Sequence, residues 1–83
     1  MNSSNIQIGK IYESMIYTHL TETDDTLLSK TIGFLNEKET LIVLETYVDR
    51  HWLLIKIVTM NGIIGWFVRP KRNLDLVLKE MDM

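Results

Sequence analysis

The sequence predicts an all-β fold, a small barrel of five or six short antiparallel strands. The first observation is Asn61-Gly62, which lies between apolar runs at residues 52–60 and 63–68. This dipeptide favours a two-residue type I′ turn, which closes a β-hairpin. The second observation is the spacing of turn-forming stretches, about ten residues apart, between segments rich in β-branched and aromatic side chains. Such spacing is typical of small all-β domains.

Three extended segments are predicted in the first half of the chain. Residues 6–20 are rich in β-branched and aromatic side chains, and Gly9 should mark a kink or bulge between two short extended pieces. A polar, acidic loop follows at residues 21–26, and residues 31–35 should return as a strand. A helix over residues 27–35 is the alternative for the returning segment.

The second half of the sequence predicts a long strand at residues 41–48, ahead of the hairpin that closes at Asn61-Gly62. Residues 69–73 should then break the ladder, because Pro70 lacks the N–H group that a central strand donates. Residues 74–78 alternate apolar and polar side chains and predict a short last strand. A helix over residues 74–83 is the alternative there.

The length of 83 residues predicts one domain over residues 6–79, with a polar tail at 1–5 and a second tail at 80–83. Cysteine is absent, which excludes a thiol nucleophile, a disulfide framework and the usual structural zinc sites. The polar start lacks the features of a signal peptide, and no run approaches the roughly 18–20 apolar residues of a membrane span. We therefore expect a cytoplasmic protein that does not contact membranes.

Several features recur in order from residue 31 onward: a leucine before a turn, an aliphatic strand, a tryptophan opening the next strand, a Gly-x-x-Gly-Trp-aliphatic hairpin and a final leucine. They are Leu35, residues 41–44, Trp52, residues 62–67 and Leu74. In this order they resemble bacterial-type SH3 domains over residues 31–78, which implies an SH3-like barrel. The glycine that is usual in the turn after Leu35 is replaced here by charged residues.

The order of aromatic and acidic residues is also similar, more loosely, to that of eukaryotic SH3 domains. The residues concerned are Tyr12, Tyr17, Glu22, Asp24, Asp25, Trp52 and the segment 65–70. This likeness lies at the level of the fold, and a fold does not determine a function.

The predicted working surface is a groove between the acidic loop and the loop ahead of Trp52. Its candidate partner-binding residues are Tyr17, Glu22, Asp24, Asp25, Trp52 and Pro70. Trp52 begins a strand beside polar residues, so its ring either anchors a partner or packs as an ordinary aromatic. The acidic loop lacks the spacing of a calcium site, so its carboxylates either attract a basic partner or are solvated.

A local basic cluster, Arg69, Lys71 and Arg72, is the alternative site, where phosphates of a nucleic acid would bind. The net charge of −2 provides no overall basic field for that function. His19 and His51 have no catalytic or metal-binding partners in the sequence, so we expect no catalytic residues, no metal and no cofactor. The predicted function is a non-catalytic protein-interaction module that acts as an adaptor, a complex subunit or a small inhibitor. The sequence does not determine the oligomeric state.

Overall fold

The computed structural model describes residues 6–25 and 27–81, except for the side chains of residues 73–75. Within this part of the chain, seven strands form one antiparallel sheet that curls into a half-barrel. The elements are β1 (Ile11–Ser14), β2 (Thr18–Thr21), β3 (Thr31–Leu35), β4 (Thr40–Asp49), β5 (Trp52–Thr59), β6 (Ile64–Pro70), a 3₁₀ helix (Lys71–Leu76) and β7 (Leu78–Glu80). The predicted all-β class is confirmed, with slightly more strands than the five or six expected. The predicted tail at 1–5, residues 82–83 of the second tail, and Thr26 of the acidic loop lie outside the described residues.

The strand order is β3-β2-β6-β5-β4-β1-β7, which places β5 at the centre of the sheet. Along β5, Leu53, Ile55 and Ile57 are buried and alternate with side chains on the opposite, outer face. The buried core consists of Tyr12, Leu20, Leu35, Leu41, Val43, Leu53, Ile55, Ile57, Phe67, Val77 and Leu78. The strand at the centre of the sheet thus supplies both the core and the outer face.

A β-bulge in β4 decides which of its side chains share the outer face. Val43 and Glu45 pair with consecutive residues of β5, so Leu44 is an extra residue without a pairing partner. With strict alternation, Tyr47 would face the same side as the buried Val43. Because of the bulge, Glu45, Tyr47 and Asp49 instead lie on the outer face.

The Thr59 N–H group donates to the carbonyl of Ile63 at 2.9 Å, so the hairpin between β5 and β6 closes with a three-residue loop, residues 60–62. The prediction of a two-residue type I′ turn at Asn61-Gly62 is therefore wrong. The Gly62 N–H group donates to the carbonyl of Thr59 at 2.9 Å, which places Met60 and Asn61 at the centre of the turn. Gly62 has a φ of 86°, whereas Asn61 is not at positive φ. A type I turn followed by one left-handed residue is the common three-residue hairpin loop. The glycine is still required, but at the bulge position of the loop.

The ladder continues through Pro70, so the predicted break at residues 69–73 starts too early. Pro70 is the last residue of β6 and lies opposite Trp52. A proline is tolerated at a strand end, and the next N–H group, that of Lys71, donates to the carbonyl of His51 at 2.9 Å.

The last strand lies at β7, and the prediction of a strand at residues 74–78 is wrong for most of that range. The 3₁₀ helix occupies it up to Leu76, because a short apolar alternation does not distinguish a strand from a tight helical turn. The alternative, a helix over residues 74–83, is correct only for residues 74–76, which belong to the 3₁₀ helix. Glu80 belongs to β7 although the tail was predicted to begin there, and the Met81 N–H group donates to the carbonyl of Ile11 at 3.0 Å.

The predicted extended segment at residues 6–20 contains two strands, as expected, but they are separated at residues 15–17 and not at Gly9. Gly9 precedes β1, has a φ of 86° and donates its N–H group to the carbonyl of Val43 at 2.8 Å. Residues 31–35 form β3, so the helical alternative over 27–35 is not adopted.

Gly65 approaches β2 so closely that no side chain fits there. A Cβ atom on Gly65 would lie 2.8 Å from Leu20 Cβ and 3.2 Å from the carbonyl oxygen of Thr21. We expect Gly65→Ala to lower the free energy of unfolding by about 2 kcal/mol, because β2 must shift. Gly62→Ala is the matched control: nothing lies within 4 Å of its Cβ, and only its positive φ costs about 1 kcal/mol. Urea denaturation measures both losses, and a smaller loss at Gly65 would contradict the close contact.

Lys38 has a φ of 69° in the turn between β3 and β4, a conformation that residues with a Cβ atom rarely adopt. Its N–H group donates to the carbonyl of Ser14 at 2.6 Å, so the conformation is held by a tertiary contact. Lys38→Gly should raise the free energy of unfolding by about 0.5–1 kcal/mol, because glycine adopts positive φ without strain. Glu37→Gly, at an ordinary φ in the same turn, should instead be destabilising. Thermal unfolding of the two variants distinguishes these outcomes.

Candidate functional site

The outer face of β4, β5 and β6 carries a regular array of side chains. Strand register aligns these side chains in three rows that run across the sheet. Within each row, neighbouring side chains belong to adjacent strands, which are about 4.8 Å apart. The rows are Glu45-Lys56-Trp66, Tyr47-Leu54-Val68 and Asp49-Trp52-Pro70. Their chemistry changes along the face, from an ion pair at one end to a half-exposed tryptophan at the other.

The first row is engaged within the protein. Lys56 Nζ lies 3.3 Å from Glu45 Oε2 and 5.8 Å from the ring centroid of Trp66. Trp66 is only 8% exposed, because the ring of Tyr47 also stacks on it at 5.7 Å with an interplanar angle of 21°. These contacts form a packed aromatic base for the rest of the outer face.

The acidic loop between β2 and β3 lies beside this face and is held by its own hydrogen bonds. The Glu22 N–H group donates to the carbonyl of Lys30 at 3.0 Å, which closes the base of the loop. Asp25 accepts from the Leu28 N–H group at 3.3 Å through its carboxylate and from the Ser29 N–H group at 2.9 Å through its carbonyl. Among the described residues of the loop, these hydrogen bonds position the carboxylate of Asp25.

A groove of about 390 Å³ lies between this loop and the β4–β5 hairpin, and we call it the acidic groove. It is lined by Asp24, Asp25, Leu27, Asp49, Trp52, Leu54 and Val68. Leu54 and Val68 form an apolar floor, and Trp52, 49% exposed, forms one wall. Three carboxylates and no cation are found among the described residues that line it. An anionic rim over an apolar floor is complementary to a segment with cationic and apolar side chains.

A second cavity of about 480 Å³ opens beside Trp52, and we call it the basic pocket. It is lined by His51, Trp52, Pro70, Lys71 and Arg72. The hydrogen bond from the Lys71 N–H group to the carbonyl of His51 joins the start of the 3₁₀ helix to the β4–β5 hairpin. Trp52 lines both cavities and thus borders the carboxylates as well as the cations.

The structure brings four of the six predicted partner-binding residues together around these cavities. They are Asp24, Asp25, Trp52 and Pro70. Glu22 lies at the base of the acidic loop and lines neither cavity. Tyr17 does not line either cavity. Its side chain is 62% exposed and stacks on Phe34, with ring centroids 5.7 Å apart.

The three residues of the alternative phosphate site do not line a common cavity. Lys71 and Arg72 line the basic pocket, whereas Arg69 is engaged within the fold. Arg69 Nη1 donates to the carbonyl of Val68 at 2.7 Å, and its guanidinium lies 5.8 Å from the ring centroid of Phe67. Burial lowers the pKa of Arg69 below its ordinary value.

Sequence analysis missed four residues that line the acidic groove: Leu27, Asp49, Leu54 and Val68. Leu27 could have been identified from the sequence, because it is one of two adjacent leucines in an otherwise polar loop. In the structure its side chain is 91% exposed. Leu54 could also be placed on the outer face by its alternation with buried neighbours. Asp49 gave no such signal, since its position depends on the bulge at Leu44.

These features define a small all-β domain in which a half-exposed tryptophan lies between an acidic and a basic cavity. Comparison with protein-family models, curated proteins and solved structures found no match. Among the described residues, no three His, Cys, Asp or Glu side chains are grouped so that they could hold a metal ion. No helix in that part of the chain is long and apolar enough to cross a membrane.

The hydroxyl of Tyr47 donates a hydrogen bond to Glu45 Oε1 at 3.1 Å. This bond raises the pKa of Tyr47 above its ordinary 10.0, helped by the negative charge of Glu45 and, to a smaller extent, by desolvation and by the charge of Asp24. We expect Glu45→Gln to lower the pKa of Tyr47 towards 10.0. Ultraviolet titration of the tyrosine phenolates measures this pKa, and comparison with Tyr47→Phe shows which part of the titration curve belongs to Tyr47. An unchanged titration in Glu45→Gln would contradict the role of the carboxylate.

Proposed function

We propose that this chain is a non-catalytic protein-interaction module that holds a segment of a partner protein in the acidic groove. The observation that carries the proposal is a half-exposed tryptophan beside an apolar floor, under a rim of three carboxylates. Within the described residues, Asp24, Asp25 and Asp49 form no ion pair, so their charge is available to a partner. Such a module acts by occupying a surface, as an adaptor, a complex subunit or a small inhibitor, and we expect it in the cytoplasm.

We also propose that the domain is an SH3-like barrel. The residues that carry the resemblance support this, since they occupy elements in the expected order: Leu35 ends β3, Trp52 opens β5 and Gly65 lies in β6. The aliphatic run 41–44 lies in β4, and the positive φ of Gly62 is found in the hairpin loop.

Tryptophan is enriched among the few residues that dominate binding energy, and Trp52 is central to the proposed surface. Trp52→Ala should therefore weaken partner binding by about 2 kcal/mol, or roughly 30-fold. Phe34→Ala is the matched control, because Phe34 is also an aromatic with 49% exposure and lies outside both cavities. The tagged wild-type protein and both variants would be used to capture partners from a lysate of the source organism, followed by calorimetry with the recovered partner.

The outcomes of this comparison are distinct. Loss of binding in Trp52→Ala alone supports the acidic groove, provided that thermal unfolding shows the variant to be folded. Loss in Phe34→Ala alone would move the surface to the Tyr17–Phe34 stack.

Charge reversal of Asp24 and Asp25 should mainly lower the association rate and its salt dependence, because exposed charges steer an encounter more than they hold a complex.

The second candidate function is binding of a single-stranded nucleic acid in the basic pocket. Its specific support is the combination of Trp52 with Lys71 and Arg72, since bases stack on aromatic rings while cations contact phosphates. Fluorescence anisotropy with a labelled oligonucleotide, at low and at physiological salt, tests it. Binding that weakens steeply with salt and is lost in the double variant Lys71→Ala with Arg72→Ala would favour this function over the first.

A further inference from the structure

Trp52 lies at the boundary between two surfaces of opposite charge. On one side the acidic groove presents Asp24, Asp25 and Asp49, and on the other the basic pocket presents Lys71 and Arg72. A ligand that covers the tryptophan therefore meets carboxylates at one end and cations at the other. Neither cavity considered alone shows this arrangement.

We propose that the segment bound by this domain is dipolar, with a cationic side chain in the acidic groove, an apolar side chain on Trp52 and a carboxylate in the basic pocket. The inference rests on the proposed function and adds the chemistry and the direction of the ligand. Asp49, Trp52 and Pro70 occupy neighbouring positions on three adjacent strands. Because adjacent strands are about 4.8 Å apart, Asp49 and Pro70 are separated by roughly 10 Å. An extended chain covers that distance in about three residues.

Charge complementarity favours this occupant over a polyanion. A nucleic acid long enough to cover Trp52 would bring phosphates towards Asp24, Asp25 and Asp49, where like charges repel. A purely basic segment would instead meet Lys71 and Arg72. A segment with opposite charges about three residues apart satisfies both sides at once, and it can bind in one direction only.

Selection of peptides from a random dodecamer library tests the proposal, with the folded protein immobilised as the target. The wild-type protein is compared with two double variants, Lys71→Glu with Arg72→Glu, and Lys38→Glu with Lys79→Glu. The second pair is the matched control, because it reverses two exposed cations that line neither cavity. Thermal unfolding checks that all three proteins are folded.

The wild-type protein and the control should select peptides with a Lys or Arg and an Asp or Glu about three residues apart, with an apolar residue between them. The Lys71/Arg72 variant should keep the cationic preference and lose the acidic one. Peptides with a cationic preference alone on the wild-type protein would overturn the dipolar ligand and leave the proposed function standing. No enrichment of any peptide would count against both.

Calorimetry with one selected peptide and its Glu-to-Gln or Asp-to-Asn analogue gives a second measure. The analogue should bind the wild-type protein about threefold more weakly, as expected for a partly exposed charge pair. The same change should cause no loss of binding to the Lys71/Arg72 variant, because the peptide carboxylate faces like charges in the reversed pocket. An equal loss in both proteins would show that the carboxylate does not contact the basic pocket and would overturn the proposal.

Discussion

The β-bulge at Leu44 sets the pairing of β4 with β5 beyond Val43, and through that pairing it determines the composition of the outer face. One inserted residue reverses which side each later β4 side chain faces. Tyr47 then reaches Trp66, and Asp49 comes beside Trp52. Both the aromatic base and one of the three groove carboxylates thus depend on the same local irregularity in the backbone.

The aromatic base gives the candidate site a rigid support. Trp66 is covered by Tyr47 and by the Lys56–Glu45 ion pair, and Glu45 also accepts the hydroxyl of Tyr47. The hydrogen bond to Glu45 and the negative charge of Glu45 are the main causes of the raised pKa of Tyr47. A surface whose side chains are already held loses less conformational entropy when a ligand binds.

Trp52 lies between the two surfaces that the sequence offered as alternative sites, the partner-binding groove and the basic cluster. Its ring lines the acidic groove, which suits a cationic segment, and the basic pocket, which suits an anion. The two surfaces therefore do not have to be alternatives. Arg69, in contrast, contributes to the packing around Phe67 and does not line the basic pocket, because it follows Phe67 by two residues in β6 and lies on the same face of the sheet.

Local patterns in the sequence determined the all-β class and most of the strands, since turn residues and β-branched runs act over a few neighbours, and they also singled out Asp24, Asp25 and Trp52 as candidates. They did not determine the loop at Gly62, where Met60 joins the turn, or the 3₁₀ helix over Lys71–Leu76. The tertiary structure alone decided that Asp49 and Val68 line one groove with Trp52 and that Arg69 leaves the basic cluster. These placements depend on strand register and on the bulge at Leu44, which result from packing between segments far apart in the chain and leave no local pattern.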